Sequence, residues 1–263
     1  MNLIDIDSLY ERLPHLRTSF QAQKPFRFIH IPRFFKDEAA EEILATYPDV
    51  HTGNWDATTY IHQVNKFTLN KFESGSLLQR VFDEMNGDTF RDWLEQLTGI
   101  EGLIPDHTLF GAGLHQSVRG AQLDVHVDYN IHPYTKLHRR LNVLVYMNKN
   151  WKPEYKGDVE FWEITKQSRR LIARYPPGFN ECIIFETNER SFHGHPEPLN
   201  TPAGISRKSL AVYYYTQDRP AAEIAEEHNT IFVNTRGWRG ELHRLLNASR
   251  ALAERLYNKL SGK

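Results

Sequence analysis

Three stretches of this chain carry side chains that could do chemistry together: His126-Val127-Asp128, then far downstream Ser191-Phe192-His193-Gly194-His195-Pro196, then Arg207-Lys208-Ser209. Two imidazoles and one carboxylate are the facial set that holds a non-haem Fe(II) and leaves the other coordination positions open. In a strand, residues i and i+2 face the same side. An extended Leu123–Tyr129 would therefore aim His126 and Asp128 together and turn Val125 and Val127 into the sheet. A lone His-x-Asp is weak evidence, because a chain with 13 histidines yields about one such tripeptide by chance. The competing reading of this segment is a surface strand with its polar residues outward. His193 and His195 also share a side if extended, and either would complete the set. Gly194 between them permits close backbone approach, which does not choose between the two. Arg207 leads into the apolar run Leu210–Tyr215. A buried arginine needs a partner, and its planar fork matches a carboxylate. Ser209, two residues on, shares its face and can offer a hydroxyl to the same group. A solvated Arg-Lys pair is the alternative.

Positioning such a set requires a sheet. From His107 to about Tyr215 the sequence runs in short strand-like pieces: Leu123–Tyr129, Leu141–Met147, Val159–Trp162, Leu171–Ala173, Cys182–Phe185 and Ser209–Tyr215, separated by Gly, Pro, Asn and Asp. Many short strands at close spacing predict a jelly-roll sandwich or barrel. The first third mixes a strand at Phe26–Ile31 with helices. Asp37 opens one helix, with acids in its first turn, and Pro48 ends it. Leu77 to Leu97 carries apolar residues at helical spacing, interrupted by Asn86-Gly87-Asp88, which predicts two helices with Asp88 capping the second. Leu242, Leu245, Leu246, Leu252, Leu256 and Leu260 predict a further helix, covering a sheet face or a partner subunit. The expected class is mainly β with helical flanks (α+β), built on a double-stranded β-helix, or jelly-roll, core. It forms a single domain over 1–263: helical N-terminal support about 1–105, core about 106–217, C-terminal helical segment about 218–263.

Composition narrows the function classes. With 40% hydrophobic and 25% charged residues the chain is globular rather than disordered. A net charge of −1 carries none of the basic excess of a nucleic-acid binder. The lone Cys182 excludes an internal disulfide and a multi-thiolate zinc site, and its apolar neighbours Ile183, Ile184 and Phe185 make it a buried structural thiol. Met1–Tyr10 is acidic, with no basic segment of a signal peptide, and no apolar run is long enough to span a membrane. A reducing, cytoplasmic setting fits, and would keep iron as Fe(II).

The joint order of these parts, on successive strands, resembles the Fe(II)- and 2-oxoglutarate-dependent dioxygenase superfamily, close to its prolyl 4-hydroxylase-like branch. The phrases that carry the resemblance are His126-Val127-Asp128, Tyr146–Trp151, Lys156–Trp162, Phe185-Glu186-Thr187, His193–Pro196 and Arg207–Leu210. It implies a double-stranded β-helix, iron on His126, Asp128 and His193, and the far carboxylate of 2-oxoglutarate on Arg207, helped by Tyr146 and Ser209. It prefers His193 to His195 because the pattern places the ligand before the glycine. Asp158 departs from the pattern, where relatives often carry a second glycine. The implied reaction hydroxylates an unactivated C–H of a peptidyl, amino-acid or other small-molecule substrate, consumes O2, and releases succinate and CO2. Ascorbate is a candidate addition.

Gln116, Arg139 and Trp162 are candidate substrate residues, each with a plainer role available: packing or a turn for Gln116 and the adjacent His115, a solvated pair for Arg139-Arg140, core or rim for Trp162 and Trp151. A homodimer through the helical flanks is open; a nucleic-acid or membrane partner is not expected. Two other classes fit the same residues. One is a cupin-like metalloenzyme that uses no 2-oxoglutarate; the other is a non-catalytic jelly-roll binding module.

Overall fold

The structure is a computed structural model and describes residues 2–238, 240–242, 245 and 248–249. The helices of the first hundred residues are α1 (Ile6–Ala22), α2 (Asp37–Ala45), α3 (Leu77–Met85) and α4 (Asp88–Thr98). The strands are β1 (Phe28–Pro32), β2 (Asp56–Tyr60), β3 (Gln63–Leu69), β4 (Ile104–Pro105), β5 (Gly113–Val127), β6 (His138–Met147), β7 (Val159–Ile164), β8 (Arg169–Tyr175), β9 (Phe179–Glu186), β10 (Phe192–His195), β11 (Arg207–Thr216) and β12 (Ile231–Val233). They pair antiparallel in the order β1-β9-β6-β11-β5-β10-β7-β8, with β3 and β12 also on β5 and β2 on β3. The result is the expected jelly-roll core, a nearly closed barrel.

Alternation along β6 divides labour across its two faces. Leu141, Val143, Val145 and Met147 join one apolar cluster with Cys182 and Ile184 of β9 and with Phe90, Trp93 and Leu97 of α4. Asn142, Leu144 and Tyr146 face the other way, into the barrel. This is the period-2 pattern of a strand, with one side stabilised by helices and the other free to carry polar chemistry. Tyr146 meets Phe161, Ile183 and Phe185 in a smaller inner cluster. Tyr214 fixes the helical layer to the sheet by donating its hydroxyl to the Met85 carbonyl.

β5 is the strand both halves share. Its first part, Gly113–Ser117, pairs with β11, while Leu123 and His126 pair with β10. Between them the strand bulges: Val64 and Lys66, two apart on β3, oppose Gln122 and Ser117, five apart on β5. Such a bulge bends the strand and raises its twist, which lets one strand serve both ends of the barrel.

Several expectations change. Asp88 is the first residue of α4 rather than its cap; the capping position is Gly87, and the Asp88 carboxylate instead accepts from Arg91 at 2.6 Å. The N-terminal part contributes the β2–β3 hairpin as well as helices. The part of the chain expected to be helical from residue 218 begins with a 3-10 turn at Ala221–Glu223 and the strand β12. Ile231-Phe232-Val233 is β-branched and aromatic, and pairs with the exposed edge of β5. Leu242 and Leu245 are exposed, and Leu246, Leu252, Leu256 and Leu260 lie outside the described residues. No helix among the described residues is long and apolar enough to cross a membrane.

Gly194 is a point of close approach between β10 and β5. A Cβ there would stand 2.9 Å from the carbonyl oxygens of both Leu123 and Asp124. Gly194→Ala should therefore cost roughly 1–3 kcal/mol, as overpacking does. Urea unfolding measures it, and an unchanged midpoint would mean that β10 does not approach β5 this closely.

Candidate metal centre

His126 lies on β5, directly opposite His193 on β10. Asp128 follows the last residue of β5. One donor atom from each of the three lies within 4.8 Å of the others. His126 Nε2 is 3.5 Å from Asp128 Oδ1, and His193 Nε2 is 3.6 Å from Asp128 Oδ2. Bonds of about 2.1 Å to a six-coordinate ion put neighbouring donors roughly 3 Å apart, so a small inward movement would close this set on a cation.

The other ring nitrogens are already used. His126 Nδ1 donates to the Asp124 carbonyl at 2.8 Å and His193 Nδ1 to the Ser191 carbonyl at 2.9 Å. With the proton on Nδ1, both Nε2 lone pairs face inward, the tautomer a metal needs. Burial, then the neighbouring His126, depresses His193 from 6.5 to about 3, so the imidazole is neutral. The donor set fits a metal ion on this chemistry alone.

The carboxylate is held from behind. Asn142 Nδ2 donates to Asp128 Oδ2 at 2.7 Å, and Arg139 lies 3.2 Å from the same oxygen. Arg139 Nε and Nη2 both donate to Asn142 Oδ1, at 3.0 and 2.8 Å. The guanidinium sits between two rings, 3.6 Å from the Tyr213 centroid and 4.6 Å from that of Tyr129. Burial pushes the Asp128 carboxyl up, but Arg139, His193 and His126 together outweigh it and hold it well below the usual carboxylate range. Arg139 is therefore no solvated residue at the mouth. It is 2% exposed and holds a ligand candidate in place. The reason is a one-residue bulge: Tyr214 opposes Leu141 and Tyr215 opposes Arg139, so the register passes over Arg140. That shift turns Arg139 inward and Arg140 outward.

Arg207, the first residue of β11, is buried beside the inner face of β6. Its Nε donates to the Gly157 carbonyl at 2.7 Å and its Nη2 to the Tyr146 hydroxyl at 3.0 Å. Burial raises the Tyr146 phenol, so it keeps its proton, which is free to be donated onward. Gly157 has φ +86°, and a Cβ there would strike Leu199 at 2.4 Å and crowd the Arg207 side chain at 3.2 Å. The metal candidates, Arg207, Tyr146 and Ser209 all line one cavity of about 180 Å³.

Other candidates lie elsewhere. Gln116 points to the opposite side of β5 from His115 and Ser117, and donates to the Ser206 hydroxyl at 2.6 Å. Trp162 donates to Glu160 at 2.9 Å, outside the cavity. His195 lines the cavity without joining the three donors. Lys66, Asn142 and Phe232 are cavity residues that sequence reasoning missed. Phe232 opposes His126 from β12 and stacks on His62, with centroids 4.3 Å apart. A larger cavity of about 890 Å³ lies beyond the other side of β6 and includes Arg27, Arg140 and Arg219. There Arg27 pairs with Glu186, and both Arg140 and Arg219 pair with Glu223.

Residues 112–215 match the family model of the 2OG-Fe(II) oxygenase superfamily. That segment is the jelly-roll core, and through it the chain is similar to the 2-oxoglutarate-dependent dioxygenases. Its fold is prolyl 4-hydroxylase-like. A prolyl hydroxylase from Trichoplax adhaerens, solved with a peptide fragment of the hypoxia inducible factor oxygen degradation domain, superposes with a TM-score of 0.57 at 14% identity, covering 79% of this chain and 92% of that one. A prolyl-4-hydroxylase from Pseudomonas putida gives 0.52 at 15%, covering 77% and 100%. HygX from Streptomyces hygroscopicus, solved with nickel and 2-oxoglutarate, gives 0.52 at 13%, covering 83% and 96%. No curated protein matches the sequence.

Two outcomes test the centre. Arg139→Leu leaves the Asp128 carboxylate buried and uncompensated, which should cost about 3–5 kcal/mol and lower metal affinity roughly 10–100-fold, read by unfolding and metal titration. In the metal-free protein, His193 stays unprotonated in the fold down to about 3, while the unfolded chain takes up its proton near 6.5. Stability should thus fall as pH drops between those values and be regained above them. His193→Asn should flatten that slope between about pH 7 and about pH 5; an undiminished slope would assign it to other groups.

Proposed function

We propose that His126, Asp128 and His193 hold Fe(II), that Arg207 with Tyr146 binds the far carboxylate of 2-oxoglutarate, and that the enzyme hydroxylates an unactivated C–H bond with release of succinate and CO2. The observation that carries this reading is the convergence of the three donors, both Nδ1 atoms already engaged, in the same small cavity as a buried arginine. The metal, when bound, would supply the oxygen chemistry that couples loss of CO2 from 2-oxoglutarate to attack on the substrate.

The protein's own residues orient and enclose. Asn142 and Arg139 fix the Asp128 carboxylate through Oδ2, so that it would be held ready for an ion. Gly157 and Tyr146 occupy Nε and one Nη2 proton of Arg207, leaving Nη1 and the Tyr146 proton for a carboxylate. A desolvated guanidinium gains most from a bidentate anion. The Ser209 hydroxyl lines the same end of the cavity. No residue need act as general base. A peptidyl, amino-acid or other small-molecule substrate would enter past Tyr60, Thr230 and Phe232. Cys182, buried with its thiol pushed up by burial, is unreactive, and a reducing, cytoplasmic setting goes with this reading.

Anaerobic titration with Fe(II) and 2-oxoglutarate should develop a visible metal-to-ligand charge-transfer band that His126→Ala abolishes. Arg207→Ala should keep the metal and raise the 2-oxoglutarate requirement on the order of 10–100-fold, the loss of a hydrogen bond to a charged group. Iron binding with no band on adding 2-oxoglutarate would sink the co-substrate assignment.

A further inference from the structure

The cavity holds more positive charge than this function uses. Lys66 on β3 opposes Ser117 on β5, and Ser117 opposes Arg207 on β11. Directly opposed residues of antiparallel strands present their side chains on one face, and all three line the cavity. Neighbouring strands are about 4.8 Å apart, so the two cations stem from the ends of a row about 10 Å long. Arg207 turns away from Lys66, toward Tyr146 and Gly157; β6, which carries Tyr146, lies across β11 from β5. The two therefore do not form one clamp.

Lys66 is half-buried, and among the described residues no acceptor holds its ammonium. Asp128 is the one carboxylate among the described residues lining the cavity, and Arg139 and Asn142 already engage it. His115 and His195 on the same wall are kept neutral by burial, with Lys66 and Arg207 adding to the effect. Burial pushes Lys66 down to about 8, against the pull of Asp128 and with the push of Arg207 and Arg139, so it is still an ammonium at neutral pH.

We propose that Lys66 receives an anionic group, a carboxylate or phosphate, of the primary substrate, and so selects acidic substrates over neutral ones. The proposal rests on the reading that 2-oxoglutarate spans from the metal to Arg207. Both of its carboxylates are then matched, and a desolvated ammonium still lacks a counter-charge. The β2–β3 hairpin that carries Lys66 also supplies Tyr60, whose ring lies 6.0 Å from that of Phe232 on β12. The anion would thus be held on the side where hairpin and β12 meet.

The test uses the protein loaded with Mn(II) and saturated with 2-oxoglutarate. Methylphosphonate is titrated in, and relaxation of its methyl protons by the metal is read by NMR for wild type, Lys66→Met and Lys66→Arg. A saturable enhancement is expected in wild type, retained in Lys66→Arg and weakened about ten-fold or more in Lys66→Met. The affinity for 2-oxoglutarate should stay within about two-fold in all three. Equal enhancement in wild type and Lys66→Met, or none in wild type, overturns the proposal. So does a Lys66→Met protein that loses 2-oxoglutarate, since Lys66 would then belong to the co-substrate. Failure of wild type to bind 2-oxoglutarate with the metal marks instead the failure of the underlying function, and the proposal falls with it.

Discussion

A carboxylate buried beside two imidazoles is the condition on which the rest of the structure depends. Asp128 would be expected to take up a proton in such surroundings, and a protonated acid is a poor metal ligand. Arg139 prevents this, but only as a buried guanidinium, itself costly to desolvate. The fold meets that cost with Asn142 and with the faces of Tyr129 and Tyr213. Tyr129 in turn is hydrogen-bonded to Tyr215, and Tyr213 donates to the Gly111 carbonyl. One bulge in β6 decides which arginine fills this role, so a backbone irregularity sets the charge state of the metal ligand.

The barrel keeps this network rigid by placing nearly every member on a strand. His126, His193, Asn142, Tyr146 and Arg207 all sit on paired strands, where packing on the outer face limits their movement. Alternation makes the arrangement economical: in β6 the residues that bury against α4 and the residues that build the cavity are neighbours in sequence. A loop contributes where a side chain would obstruct, as at Gly157, whose carbonyl braces Arg207.

Much of the centre was legible in the sequence because strand periodicity carries it. Spacing alone puts His126 with Asp128, and Arg207 with Ser209, on common faces, and the fold brings the three donors together. The choice of His193 over His195 needed the resemblance, since both are buried and both line the cavity. Other features were out of reach because register, not composition, creates them. Gln116 faces away for want of one residue of phase. Arg139 reads as half of a solvated basic pair until the bulge turns it inward. Asn142 does carry a signal, as a single amide in the apolar run Leu141–Met147, since a polar group in such a run has to answer to something buried. Lys66 and Phe232 come from segments with no motif, and only pairing with β5 brings them to the cavity.

The order of strands has a consequence for the chain as it is made. β11 lies between β6 and β5 in the sheet, yet a ribosome delivers it after both, and after β7 to β10. Until Arg207–Thr216 emerges, β1-β9-β6 and β5-β10-β7-β8 have no strand to pair them into one sheet, and long-range pairing of this kind is slow to form. A nascent chain that already holds His126, Asp128 and His193 therefore lacks the element that would bring the barrel to closure. Because the closing strand is the one that carries Arg207, closure of the barrel and arrival of the anion grip become one event.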